Sequence, residues 1–236
     1  MEESEAPLVA AQDGRLDVLK WLLSKNMFRP GQTDCMGKGA AHYAACEGRL
    51  DVLKWLAAQS FLHPTQSDQD GASVSHYAAW YGRLEVLKWL HEAKLLDVKH
   101  KDRKGVNMAG RAASVGNVEI LAWLHSVELL DVEETDNSGR TIAHIAAVSG
   151  RLEVLVWLKE EIFFNVREKE RISGYTVAHI ASLYGYLHIL KWLHSLDLLN
   201  GKDMAEDGST FVSLAANEPP SIKIMEWLPK KFRRRD

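Results

Sequence analysis

Four histidines, His42, His76, His144 and His179, fall at spacings of 34, 68 and 35 residues, and a second row, His91, His125 and His194, accompanies them. Imidazole is the side chain suited to proton transfer near neutral pH and to metal ligation, so both chemistries need weighing. A residue that returns with a fixed period is most simply a repeated structural hydrogen bond. The second row fares no better as a metal site. Packed helices lie about 8 to 10 Å apart, so at most His91 and His125 could share an ion, and a zinc site needs at least three protein ligands. Nucleophile and phosphate motifs are absent: there is no G-x-S-x-G elbow, no P-loop and no H-E-x-x-H. The reading assigns no catalytic residue, no cofactor and no metal.

The composition excludes other classes. The 236 residues are 46% hydrophobic and 26% charged, enough for a core and too balanced for disorder. A net charge of −3 gives no global attraction to polyanions, so nucleic acid is not an expected partner. No apolar run reaches the roughly 18 residues of a membrane span. Cys35 and Cys46 are too few for a disulfide framework, which favours a reducing compartment, and the expected location is the cytoplasm or the nucleus. The tail "KKFRRR" could serve nuclear import or polyanion contact, but a solvated end is the favoured reading.

The elements that would position any site follow from a repeat. Tryptophans at 21, 55, 89, 123, 157, 192 and 227 are spaced by 34 or 35 residues. Gly14, Gly48, Gly82, Gly116, Gly150 and Gly185 each stand seven residues before one of them, and Gly37, Gly71, Gly105, Gly139, Gly174 and Gly208 form a second series. Two glycines per unit mark two turns, and the apolar-periodic stretches between them, such as "RTIAHIAAVS" and "RLEVLVWLKE", read as short helices. Isolated helices under about 12 residues are marginal in water, so stacking must stabilise them. On the second helix Leu84, Val86, Leu87, Trp89 and Leu90 make the apolar stripe, and the tryptophan register reads as core or inter-repeat packing. Replacing Trp89 or Trp123 by Ala would cost about 3 to 5 kcal/mol if the ring were buried.

The unit "DNSGRTIAHIAAVSGRLEVLVWL", with "GYTVAHIASLYGYLHILKWL" and "GASVSHYAAWYGRLEVLKWL", resembles the ankyrin repeat. The resemblance runs from about Glu5 to Leu228 and implies an all-α solenoid of helix-turn-helix units with short β-turn fingers. Seven repeats are expected, at about 5–30, 31–64, 65–98, 99–132, 133–166, 167–200 and 201–229, as a single domain 1–236 with a basic tail at 230–236. Departures are visible. The proline usual after the Thr is replaced by Ala40, Val74, Met108, Ile142, Val177 and Phe211, and Asn107 and Gly110 replace both Thr and His in one unit. Asn217 to Pro220 stand where a glycine turn is expected, and a further insertion lies between Trp157 and Gly174. The resemblance also implies that the periodic histidine ties each turn to its neighbour.

It further implies contacts at the fingers and at the two residues before the second glycine. Those pairs are Cys46-Glu47, Trp80-Tyr81, Ser114-Val115, Val148-Ser149 and Leu183-Tyr184. Aromatic residues at such positions are the side chains most enriched in interface hot spots, and Trp80 breaks the repeat; binding is favoured over packing of Trp80 on its neighbouring unit. The expected partner-binding residues are Trp80, Tyr81, Arg103, Lys104, Arg140, Tyr175, Leu183 and Tyr184. Basic "KHKDRK" and acidic "EETD" runs along the fingers fit either a charge-matched partner or solvated turns. The expected function is a non-catalytic adaptor, inhibitor or assembly chaperone, monomeric alone, that binds a protein through its concave face. The alternative is a permanent structural subunit of a large cytoskeletal or organellar complex.

Overall fold

A computed structural model describes residues 5–29, 31–63, 66–217, 222–229 and 232. The turn read at Asn217 to Pro220 and the cationic residues of the tail lie largely outside them. Among the described residues there are fourteen α-helices and no strand, only two isolated β-bridges, Thr33 with Gly39 and Ser67 with Ser73. In chain order the inner helices are α1 (Ala6–Asp13), α3 (Ala40–Glu47), α5 (Val74–Trp80), α7 (Met108–Val115), α9 (Ile142–Val148), α11 (Val177–Leu183) and α13 (Phe211–Asn217). The outer helices alternate with them: α2 (Leu16–Ser24), α4 (Leu50–Ala58), α6 (Leu84–Glu92), α8 (Val118–Ser126), α10 (Leu152–Glu161), α12 (Leu187–Ser195) and α14 (Ile222–Trp227). The chain gathers into two compact units, Met1–Ala112 with Glu119–Leu130, and Ala113–Val118 with Asp131–Asp236.

Within the first unit α1 packs on α3 and α3 on α5; within the second α9 packs on α11 and α11 on α13. Small residues permit this close approach: Ala44, Ala45, Ala78, Ala79, Ala146 and Ala147 are fully buried. The outer helices bury an aliphatic triad, exemplified by Val86, Leu87 and Leu90. The first six outer helices are each followed, two residues on, by a residue with positive φ that is not glycine, for example Lys94 and Glu128, both at φ 58°. The one-residue insertion before Gly174 falls in the finger, which spans Glu170 to Tyr175 where its neighbour spans Asp136 to Arg140. Helix α10 separately runs to ten residues where most outer helices have nine.

The tryptophan ladder is not core. Trp55, Trp89, Trp123, Trp157, Trp192 and Trp227 are half-buried, and Trp21 is 54% exposed. Their rings lie along the outer rim and meet neighbouring units: Trp123 stands edge to face with His91 at 6.0 Å and Trp227 with His194 at 5.8 Å. The inter-repeat half of the expectation therefore holds and the core half does not, because the triad of Leu and Val fills the interior first. Leu87→Ala should cost about 3 kcal/mol or more, and Trp89→Ala only about 1 to 2 kcal/mol despite the larger side chain. Urea unfolding midpoints check this order; a Trp89→Ala loss equal to that of Leu87→Ala would place the ring in the core.

Candidate partner-binding surface

The surface rests on a lattice of buried polar links. At the start of α5, the Ser73 hydroxyl lies 2.8 Å from His76 Nδ1, and His76 Nε2 lies 2.9 Å from the Val106 carbonyl of the next finger. Helix α9 repeats the cap with Thr141 and His144, whose Nε2 meets the Glu168 carbonyl just before the next finger, and α11 with Thr176 and His179, whose Nε2 meets the Asp203 carbonyl before the finger and the Ser209 carbonyl within it. A carbonyl only accepts, so Nε2 carries the proton. Nδ1 then accepts from the N-cap hydroxyl and backbone N–H, and the ring is neutral. Burial lowers the pKa of His42, His144 and His179 and takes that of His76 to about 4. Where the histidine is replaced by Gly110, Asn107 caps the helix instead, its Oδ1 accepting the Gly110 N–H at 2.9 Å.

A second link joins inner-helix ends. Arg49 Nε donates to the Gln12 carbonyl, Arg83 Nε to Cys46 at 2.7 Å, Arg151 Nε to Ser114, and the Tyr186 hydroxyl to Val148. The side chain crosses the turn glycine of the unit before it. Gly48 has φ 72°, and a Cβ there would come within 3.2 Å of Arg83 Cδ, so the turn needs glycine for both its backbone and its clearance.

The fingers are built on a carboxylate that sequence reasoning missed, although Asp34, Asp68, Asp102 and Asp136 keep the 34-residue period. One oxygen of each accepts two finger N–H groups at 2.8 to 3.0 Å. The other is held by Tyr43, Tyr77, Arg111 and Arg140 respectively. Burial pushes the Asp68 carboxyl up, but the Tyr77 hydroxyl and the Ala72 and Asp70 N–H groups outweigh it and hold the group below its usual range. Burial and Asp34 together push the Tyr43 hydroxyl up to about 12. Successive fingers are tied by single backbone bonds, Gln69 N–H to Met36 and Arg103 N–H to Asp70 in the first unit, Arg171 N–H to Gly139 in the second.

The expected contact residues divide between the units. In the first, Trp80 is 45% and Tyr81 51% exposed, and Arg103 and Lys104 are exposed on their finger. Trp80 is not wholly free: the Arg111 guanidinium lies 4.5 Å from its ring centroid, while also pairing with Asp102. The packing alternative therefore accounts for one face of Trp80. In the second unit, Arg140, Tyr175, Leu183 and Tyr184 come together around a groove of about 340 Å³. Val148, Ile180 and Leu183 also line it, with exposed Ile172 beside Tyr175. Arg140 is half-buried and paired with Asp136 at 2.7 Å. Ile172, a finger position beside Gly174 that was not singled out among the expected contacts, is 64% exposed; its finger carries the inserted residue. Among the described residues no group of three or more His, Cys, Asp or Glu could hold a metal ion, and no helix is long and apolar enough to cross a membrane.

A family model described as ankyrin repeats (3 copies) matches residues 7–102 and 76–169, well over half of the chain. The chain belongs to the ankyrin-repeat family. No curated protein matches it. Ankyrin repeats are generally protein–protein interaction modules and typically non-catalytic, which agrees with histidines consumed by structural bonds in this ankyrin-repeat chain.

The neutral histidines make the ankyrin lattice acid-sensitive. An unfolded imidazole protonates near pH 6.5, whereas folded His76 resists until about pH 4. The unfolded state thus binds more protons between these values, and stability falls as pH drops through that window. His76 alone should account for a loss of about 3 kcal/mol by pH 4. Denaturant midpoints at pH 7.5, 6 and 4.5 check this; a flat profile would contradict it.

Proposed function

We propose that this chain is a non-catalytic binding module, an adaptor, inhibitor or assembly chaperone that acts on a protein partner. The contacts come from the face carrying the fingers and inner-helix ends. The observation that carries the reading is the exposure of Trp80, Tyr81 and Tyr184 at inner-helix ends where Cys46, Ser114 and Val148 are half-buried. Large, rigid aromatic side chains supply contact area at low entropic cost, and at interfaces they act as anchors. Exposed Arg103 and Lys104 on the finger of the first unit add orientation and association rate. The placement of side chains also argues against catalysis, since the buried imidazoles of His76, His144 and His179 are neutral and already bonded on both nitrogens. The protein is taken to be monomeric alone and to work in the cytoplasm or nucleus.

Comparing the intact protein with a Trp80→Ala, Tyr81→Ala double variant tests the reading. Affinity capture from native extract should recover a partner with the first and lose at least tenfold of it with the second. The unfolding midpoint should move little, because both side chains are about half exposed. A partner retained equally by both would remove this site.

A further inference from the structure

Helices α1 and α2 and the turn between them form a groove of about 320 Å³, lined by Val9, Ala10, Asp13, Arg15 and Val18. Arg15, Val18 and the nearby Trp21 keep the register of an inter-repeat contact that the described residues do not complete. Arg15 corresponds to Arg49, Arg83 and Arg151, whose Nε atoms each donate to a carbonyl at the inner-helix end of the unit before. Its own guanidinium meets only Asp13 among the described residues, at 3.7 Å, with 66% of the side chain in water. Val18 is half-buried where Val52, Val86, Ile120, Val154 and Ile189 are fully buried. Trp21 is exposed where the later ladder rings are half-buried.

The later repeats show what fills such a place. Helix α1 packs on α3 and α3 on α5, so α3 and α5 each carry the inner helix of the repeat before. That helix ends with two buried alanines, two further residues and the turn glycine: Ala10-Ala11 before Gly14 and Ala44-Ala45 before Gly48. The second unit repeats the ending with Ala112-Ala113 before Gly116. The carbonyl that the arginine takes is the one directly after the alanines, on Gln12, Cys46 and Ser114 respectively. Alanine lets the helix approach closely, and the arginine fixes its end.

We propose that this groove takes an α-helix of a separate partner protein whose last turn reads Ala-Ala-x-x-Gly. The alanines lie against Ala10 and Val18, and the carbonyl after them accepts the Arg15 Nε–H. Docking a helix in a groove in this way continues the stacking contact of the chain into another molecule. The C-terminal end of a helix carries partial negative charge, which the Arg15 guanidinium complements. A second copy does not offer this ending. Its last inner helix, α13, contains Ala215 and Ala216, but Pro219 stands in sequence where the turn glycine would, and proline cannot take the positive φ of that turn. This surface is separate from the aromatic face proposed above and stands whether or not that face binds.

A stapled helical peptide copying residues 141–151, TIAHIAAVSGR, is the probe, titrated into the full chain by fluorescence polarisation. It should bind saturably and shift the Trp21 indole N–H signal in NMR spectra. Arg15→Ala should weaken binding at least tenfold while leaving the unfolding midpoint nearly unchanged, because the side chain is mostly exposed. A peptide with leucine in place of the alanine pair should not bind, and the Trp80→Ala, Tyr81→Ala variant should bind the original peptide as the intact protein does. No saturable binding, or binding indifferent to Arg15→Ala or to the leucine pair, would overturn the groove as a helix site. Sedimentation of the protein alone tests the source of the helix: a single monomeric species agrees with a separate partner, and self-association lost in Arg15→Ala would overturn it in favour of a second copy.

Discussion

A buried neutral imidazole at the start of an inner helix joins three things that the helix alone could not hold together. It accepts the N-cap donors that a helix start leaves unsatisfied, fixes the turn, and donates to a carbonyl of the following finger. Inner helices of seven or eight residues cannot stand by themselves, so this link and the alanine packing beside it determine whether a finger has a defined position. The Asp102 carboxylate sits in the finger that His76 holds, where it gathers the Lys104 and Val106 N–H groups and the Arg111 guanidinium. Asp68 and Asp136 gather the same kind of donor set in fingers that carry no such link among the described residues.

The division of labour that results locates function. Residues repeated with the period are engaged in links: histidines at the helix starts, arginines across the turn glycines, aspartates inside the fingers. What remains in water at the inner-helix ends is aperiodic, and it is apolar and aromatic. Trp80 sits between the two classes. Arg111 takes the place that Tyr43 and Tyr77 hold in the preceding units, pairs with Asp102, and covers one face of the Trp80 ring. The exposed aromatic residues are thereby presented on rigid elements, which lowers the ordering cost of binding.

The helix-turn-helix order was legible because tryptophan and glycine keep time and because a period of this length has few structural meanings. The burial of the tryptophans was not, since a residue on the rim of a helix repeats with the same period as one in its core. The finger aspartates were equally periodic, yet an Asp in a turn reads as solvated until its neighbours are placed. The reach of Arg83 to the Cys46 carbonyl depends on contacts 37 residues apart, which no local pattern encodes. Of the expected contact residues, Arg140, Tyr175, Leu183 and Tyr184 do converge on one groove. Ile172 was legible as a finger position beside Gly174, but its exposure was not, since nothing local to the sequence separates an exposed finger residue from a covered one.

The most direct measurement of this account is the protonation and tautomer of the periodic histidines by nitrogen-15 NMR of the imidazole rings at neutral pH. His76, His144 and His179 should each give a protonated Nε2 and a bare, hydrogen-bonded Nδ1. A charged ring, or a proton on Nδ1, would contradict the link that ties these inner helices to the segments that follow them.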